Sequence, residues 1–240
     1  MPLKKSTRRE VLAVLGAGVG AVLAGCGSTP TTPSATTTSG GGTSSTGSCA
    51  VTPSETEGPY PDKTGMINNS AFFRRDITEG KSGLPLTLTL TIVNVNSSCA
   101  AVSGANVEIW QCDAAGHYSE YSQPGYDASG QTFLRGIQTT DANGQVTFTT
   151  IYPGWYAGRA THIHVDVFRS GALVKTTQIA FPESISAVVY ATGVYASKGQ
   201  NSTSNSSDNV FSDGTTNELA TLTGNTTSGY TATLTIGVAG

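Results

Sequence analysis

Apolar and polar residues alternate with a period of two in six stretches of the chain, as expected where successive side chains point to opposite faces of a β-strand. These stretches are residues 84–95, 105–112, 145–151, 161–168, 173–181 and 230–238. Turn-forming sequences lie between them, including Asp141-Ala-Asn-Gly144 and Arg169-Ser-Gly171. No long stretch with helical spacing follows residue 24. The pattern predicts an all-β fold, a β-sandwich of mainly antiparallel strands, over residues 49–240.

The N-terminal region has a different pattern. Arg8 and Arg9 precede an apolar stretch over residues 11–24, which ends in Leu23-Ala-Gly-Cys26. We interpret residues 1–25 as a twin-arginine signal peptide, with cleavage before Cys26 and a lipid on that cysteine. The apolar stretch is shorter than the roughly 20 residues of a membrane-spanning helix, and a buried amphipathic helix is the alternative. Residues 26–48, rich in Ser, Thr, Gly and Pro, are expected to be a flexible tether.

These features predict export to a bacterial cell envelope, where the protein would be lipid-anchored. The formal net charge is -3 and no basic stripe is evident, which argues against nucleic acid binding. Cys49, Cys99 and Cys112 remain after Cys26, an odd number for an oxidising compartment. One disulfide and one free thiol is the simplest arrangement. We favour Cys49 with Cys99, because Cys112 lies within an alternating strand, although the sequence leaves the pairing open.

Candidate chemistry is concentrated in Tyr152-Pro-Gly-Trp-Tyr156-Ala-Gly-Arg159-Ala-Thr-His162-Ile-His164. His162 and His164 occupy alternate positions of a strand, so both imidazoles point to one face. Such neighbours lie about 6.5–7 Å apart along the chain, and both can reach one ion about 2 Å from each nitrogen. Taken alone, a His-x-His pair on a strand is more often a hydrogen-bonded or exposed pair than a metal site. A tyrosinate at Tyr156 would add the hard anionic ligand that Fe(III) favours.

Several further segments occur in a characteristic order: Thr56-Glu-Gly-Pro-Tyr60, Val107 to Trp110, Gly116-His-Tyr118, Phe133-Leu-Arg-Gly136, Thr140-Asp-Ala-Asn-Gly144, Tyr152 to Tyr156 and Arg159 to His164. Together they resemble the intradiol ring-cleaving dioxygenases, which include the protocatechuate, catechol and hydroxyquinol dioxygenases. The resemblance extends from about residue 49 to the C-terminus. The chain resembles the single-domain, exported branch of the family, since a leader and a tether stand where the catechol and hydroxyquinol enzymes have a long helical segment.

The resemblance implies an enzyme that inserts O2 into a small aromatic diol and opens the ring between the two hydroxyl-bearing carbons. It also implies a metal site in which Fe(3+) is held by Tyr118, Tyr156, His162 and His164. Two tyrosinates, two neutral imidazoles and a hydroxide balance the ferric charge, so that the site can be buried. A single tyrosine such as Tyr118 is more often an ordinary aromatic residue at a strand end, and it is the match together with Tyr156 and both histidines that favours a ligand.

The remaining site residues come from the same resemblance. Arg159 matches an arginine that stabilises negative charge on the bound substrate, and Tyr156 would also take a substrate proton. Two weaker candidates complete the site: Gln178 matches a family glutamine near the metal, and Tyr60 would line the substrate pocket. Only Ala157 and Gly158 separate Tyr156 from Arg159, fewer residues than in protocatechuate enzymes, which predicts a more open pocket.

Other polar residues are expected to have structural roles: Arg135 pairs inside the fold, and Asp141 opens a turn. His117 is expected at the rim of the site or at the surface, and residues 197–213 are expected to form a polar loop. The alternative function is a non-enzymatic, cell-surface β-sandwich that binds a metal, because a fold does not fix a function. The preferred catechol and the oligomeric state do not follow from the sequence.

Overall fold

A computed structural model describes residues 49–239 of the chain. The predicted signal peptide and the whole of the predicted tether, Cys26 included, lie outside the described residues. The strands are β1 (Pro85–Asn94), β2 (Ala100–Ala101), β3 (Asn106–Trp110), β4 (Ser122–Gln123), β5 (Tyr126–Asp127), β6 (Arg135–Thr139), β7 (Gln145–Ile151), β8 (His162–Arg169), β9 (Ala172–Ala180), β10 (Thr221–Asn225) and β11 (Gly229–Val238). A single helix within this range, α1 (Glu183–Tyr190), follows β9. Short 3-10 turns occur at Met66–Asn68, Ser70–Phe72, Val95–Ser97, Gly193–Tyr195 and Asn205–Ser207.

The strands form two main sheets and a small hairpin. The first sheet has the order β10-β11-β1-β2, and β7 also pairs with β1. The second has the order β6-β3-β8-β9, and β4 pairs with β5. Pairing is antiparallel between the named strands except between β1 and β11, which run parallel. The predicted all-β sandwich of mainly antiparallel strands is confirmed.

The core lies between the two sheets because each sheet packs one face against the other sheet. In β1 the buried side chains alternate with partly exposed threonines. They share one apolar cluster with residues of β3 and β8; its members include Leu86, Leu88, Leu90, Ile92, Val107, Ile109, Ile163 and Val165. The intervening residues of the second sheet, His162 and His164 among them, therefore point away from the core. In the described part of the chain, no helix is long and apolar enough to cross a membrane.

All six predicted strands are present, with boundaries that differ by at most two residues. The alternation analysis missed β6 and β10 among the longer strands, and it missed α1. β6 begins with a buried charge, Arg135, followed by a glycine, and β10 is an edge strand without a fully buried side chain. Neither segment therefore alternates in hydrophobicity. The helix spans only eight residues, too few for a clear helical period.

The predicted disulfide between Cys49 and Cys99 is confirmed, with Cα atoms 5.7 Å apart. Cys112 has a free thiol and is buried, as expected for a residue within the packed region. Arg135 is also buried, and it donates hydrogen bonds to the Ser119 side chain and to the Tyr60 carbonyl. The expectation of a structural role for Arg135 is met.

Candidate active site

The candidate site lies on the face of the second sheet that points away from the core. There Trp110, His164 and Gln178 are directly opposite one another on β3, β8 and β9. Residues opposite each other on adjacent antiparallel strands share a face. The indole of Trp110 and the imidazole of His164 stack with centroids 4.7 Å apart and planes 3° from parallel. This stacking fixes the orientation of the His164 ring.

His162 is held by a hydrogen bond on the side of the ring that faces its own chain. Its Nδ1 lies 2.7 Å from the carbonyl oxygen of Ala160 and donates to it. The remaining nitrogen, Nε2, then carries a lone pair, which is how an outer hydrogen bond prepares a histidine to bind a metal. Nε2 of His162 lies 3.2 Å from Nε2 of His164. The prediction that both imidazoles point to one face is confirmed.

Tyr118 reaches this point from a turn before β4. Asp113 closes the turn, since its Oδ1 accepts hydrogen bonds from the backbone N–H groups of Ala115 and His117. Gly116 has a φ of 90°, and a Cβ there would lie 2.2 Å from the Trp155 carbonyl oxygen. Only glycine allows this close approach between the loops that carry Tyr118 and Tyr156. The fully buried Tyr118 hydroxyl lies 3.3 Å from His162 Nε2.

The geometry of these groups fits a metal ion. Two ligand atoms at about 2.1 Å from one ion, and at right angles, are about 3 Å apart. The measured separations are 3.2 Å between the two imidazole Nε2 atoms and 3.3 Å between the Tyr118 hydroxyl and His162. Tyr156 is half-buried at the edge of this group, with its ring centroid 5.5 Å from that of His162 and 5.8 Å from that of Tyr118.

The protonation states also fit a metal ion. Burial, with a contribution from Arg159, lowers the pKa of His162 to about 3. Burial likewise places the pKa of His164 well below its ordinary value, with His162 and Arg159 adding to the effect. Both imidazoles are therefore neutral at physiological pH and can act as ligands. Burial raises the pKa of Tyr156 to about 12 and that of Tyr118 well above its usual value, so only a strong positive charge would deprotonate the phenols.

Arg159 supplies the positive charge beside the predicted ligands. Its Nη1 lies 3.5 Å from the Tyr156 hydroxyl and 3.4 Å from His162 Nε2. Its Nη2 donates to Gln178 Oε1 at 2.5 Å. Its Nε donates to both carboxylate oxygens of Asp208, at 3.0 and 2.8 Å. The guanidinium is thus held on one side, while Nη1 faces the predicted ligands.

The segment before β1 covers the site. The Thr56 carbonyl accepts a hydrogen bond from Gln178 Nε2, and the Tyr60 ring stacks on Tyr118 with centroids 4.7 Å apart. Gly58 has a φ of 70°, and a Cβ there would approach the His164 ring to 3.0 Å. We call residues 52–60 the strap. Half-buried Tyr60, Tyr156 and Arg159 mark the side from which a small molecule can approach the buried ligands.

A family profile described as dioxygenase matches residues 56–200, which is more than half of the 240-residue chain. An intradiol ring-cleavage dioxygenase from Tetranychus urticae has a similar structure, with a TM-score of 0.72 and 30% sequence identity. The match covers 80% of this chain and 95% of that one. The chain belongs to the intradiol ring-cleaving dioxygenases.

Other solved structures agree with this family. The dioxygenase domain of a dioxygenase carbohydrate-binding protein fusion from Streptomyces sp. SirexAA-E matches with 27% identity and a TM-score of 0.57, over 79% of this chain and 99% of that one. A 3-chlorocatechol 1,2-dioxygenase from Rhodococcus opacus 1CP shares the fold, with 21% identity, a TM-score of 0.52 and coverage of 78% and 72%. No curated protein matches the chain.

Sequence reasoning placed Tyr118, Tyr156, Arg159, His162, His164, Gln178 and Tyr60 at the site of this intradiol dioxygenase. The structure brings all seven together, while their roles as ligands or catalytic groups stay predictions. Asp208, which is buried against Arg159, is not among the residues predicted from the sequence. The sequence pattern predicts only a polar loop over residues 197–213. Asp208 follows a short 3-10 turn in that stretch, and no sequence period distinguishes it from its exposed neighbours.

Proposed function

We propose that this family member is an iron-dependent intradiol dioxygenase for catechol-type aromatic diols, with Tyr118, Tyr156, His162 and His164 as ligands of a ferric ion. The observation that carries the proposal is that His162 Nε2 lies 3.3 Å from the buried Tyr118 hydroxyl and 3.2 Å from His164 Nε2. Two neutral imidazoles and two phenols form a hard, potentially dianionic donor set, as Fe(III) prefers. When bound, the ferric ion would supply the Lewis acidity and one-electron chemistry that allow an aromatic diol to react with O2.

The residues at the open side have distinct tasks in this proposal. Tyr156 is half-buried, and its phenolate, once formed, is basic enough to take a proton from a hydroxyl group of the diol. Arg159 Nη1 faces the same point and offsets the negative charge that develops on the diol oxygens. Gln178 and Asp208 hold that guanidinium in place. The ring of Tyr60 stacks on Tyr118 and would form one wall of the substrate site.

The position of ring opening tests the proposed reaction. Cleavage between the hydroxyl-bearing carbons, with both oxygen atoms of O2 retained, produces two carboxylic acids. Cleavage beside them produces one aldehyde and one acid. We expect the iron-loaded protein to consume O2 with catechol or hydroxyquinol and to form only the dicarboxylic product, as identified by mass spectrometry. Bound iron without O2 consumption across a panel of catechols would instead support the non-enzymatic metal-binding module.

We also propose that the protein is exported to the bacterial cell envelope and anchored there by a lipid on Cys26. The support is the Arg8-Arg9 pair and the Leu23-Ala-Gly-Cys26 sequence, together with the Cys49–Cys99 disulfide, which suits an oxidising compartment. A Cys26→Ala variant is expected to leave the membrane fraction, and a variant with Arg8→Lys and Arg9→Lys is expected to stay in the cytoplasm. Unchanged fractionation of both variants would contradict the export proposal.

A further inference from the structure

Three carboxylates meet at a second place in the fold, away from the tyrosine and histidine cluster. They are Glu55 of the strap and Asp213 and Glu218 of the segment before β10. Each offers an oxygen, and these oxygens lie within 4.8 Å of one another. Within the described residues, three or more histidine, cysteine or acidic side chains come close enough to share a metal ion at this place, and the histidine pair of the active site is not such a group.

Glu218 is the buried member of the group, with 0% of its surface exposed. Its Oε1 accepts a hydrogen bond of 3.0 Å from the Thr177 hydroxyl. Its Oε2 is equally buried and makes no hydrogen bond of standard geometry among the described residues, although the Gln178 N–H lies near the carboxylate. A buried carboxylate oxygen without a partner is costly whether or not the group is ionised, because a protonated acid also needs an acceptor for its hydrogen.

The cations nearby do not neutralise the group. Arg159 is close enough to lower the pKa of Glu55, but its guanidinium is bonded to Asp208 and Gln178. The Lys175 ammonium donates to the Thr52 carbonyl and the Ser54 hydroxyl. Within residues 49–239, the ion pairs include none of the three carboxylates.

The carboxylates therefore disfavour one another's ionisation. Burial, followed by the charge of Asp213, raises the pKa of Glu55 above its usual value. Burial raises the pKa of Glu218 to about 8, and Glu55 and Asp213 add to the effect. A bound cation would remove both penalties, since opposite charge within about 4–6 Å favours the ionised form of a carboxyl group.

We propose that Glu55, Asp213 and Glu218 bind a calcium ion. All donors are hard oxygens, which suits calcium or magnesium. Calcium takes roughly 6–8 oxygen ligands in flexible geometry and accepts several carboxylates, whereas magnesium keeps most of its water and usually binds one or two carboxylates. Three carboxylates from the protein at one place therefore suit calcium better. The exposed Asp213 leaves room for water molecules to complete the coordination.

The calcium ion would fix the strap to the sheet beside the active site. The Glu55 N–H donates to the Thr176 carbonyl, and the next residue, Thr56, accepts from Gln178. Thr176 and Gln178 lie on β9. Glu218 is bound to the same strand, because its backbone carbonyl accepts a hydrogen bond from the Ala180 N–H. Calcium would therefore join the two segments that flank Gln178, and Gln178 in turn holds Arg159.

The test uses the full chain after treatment with EGTA and removal of the chelator. Calorimetric titration with CaCl2 is expected to show one site with a Kd of roughly 10–1000 µM. At a calcium concentration about 100-fold above the Kd, the midpoint of thermal unfolding should rise by roughly 5–10 °C. Magnesium should produce a smaller rise. Neither readout depends on iron or ring cleavage, so the result is independent of the proposed enzymatic function.

Glu218→Gln keeps the shape of the buried side chain and removes its charge. This variant should fold without calcium and lose the calcium-dependent rise. Asp213→Asn, at an exposed position, should weaken calcium binding at least about tenfold and should not lower the calcium-free unfolding temperature, because it removes one of the mutually repelling charges. Glu57→Gln, also exposed and in the strap, is the matched control and should bind calcium normally. The proposal is overturned if the wild type shows neither heat nor a thermal shift up to about 10 mM calcium, or if Glu218→Gln and Asp213→Asn respond as the wild type does.

Discussion

A Tyr118→Phe variant is expected to fold normally, to lose most of its iron and to retain less than about 1% of the ring-cleaving activity. Loss of a ligand's outer hydrogen-bond partner already costs roughly 10–100-fold in metal affinity or activity, and loss of the ligand itself should cost more. The change removes one oxygen atom, whose hydrogen bond is to His162 Nε2. The ring, which stacks on Tyr60, remains. Iron per chain, thermal unfolding and O2 consumption are the measurements.

Two matched controls separate a ligand effect from a general one. Tyr121→Phe removes a hydroxyl that donates to the Pro61 carbonyl in the same aromatic cluster, and it should keep its iron. His162→Ala should lose iron as Tyr118→Phe does, whereas His117→Ala should not, because the His117 side chain is 26% exposed and stacks on Tyr126. Full iron content and activity in Tyr118→Phe would show that this hydroxyl is not a ligand.

The second large effect is expected at Asp208, which contacts no proposed ligand. The Asp208 carboxylate accepts hydrogen bonds from Arg159 Nε and from the Ala160 N–H. Asp208→Asn preserves the shape of this side chain but removes its negative charge. We expect kcat per bound iron to fall about 10–100-fold, which is the usual cost of removing a residue that orients a functional group by a hydrogen bond. Arg159→Gln should lower it further, by roughly 100–1000-fold, since it removes the stabilising cation itself.

The readout distinguishes a positioning role from a purely structural one. If Asp208 only stabilised the loop, Asp208→Asn would lower the unfolding temperature and leave kcat per bound iron unchanged. A positioning role predicts instead that Asp208→Asn retains its iron and has a reduced kcat per bound iron. Asp127→Asn is the control, because Asp127 is exposed and its carboxylate accepts from the nearby Ser129 N–H. Its kinetics should match the wild type.

Local alternation predicted the strands that direct one face into the apolar core, because the residues on their other face are mostly polar and the two faces alternate with the period of the strand. The longest case, β1, alternates buried and partly exposed residues over most of its length. β6 did not follow this rule, since the charge of Arg135 is buried against Ser119 and the Tyr60 carbonyl, which are distant in sequence. Such partners are set by tertiary structure, and no local pattern encodes them.

The candidate site divides in the same way. His162 and His164 could be placed together from strand geometry, because one chain segment carries both. Tyr118 comes from a separate loop, and only the family resemblance brought it to the histidines. Asp208 lies 49 residues beyond Arg159 in the chain, in a stretch with no period, so neither route found it. Two loops carry Tyr118 on one side and Tyr156 with Arg159 on the other, and these loops can approach each other only because residue 116 is glycine.

The visible absorption spectrum of the iron-loaded, full-length protein tests the central claim most directly. Two tyrosinate ligands on ferric iron should produce an intense charge-transfer band that colours the protein, and anaerobic addition of catechol should shift the band to longer wavelength. That result would establish tyrosinate ligation and an accessible coordination position together. A protein that binds ferric iron but stays colourless, or whose band does not respond to any catechol, would contradict the proposed site.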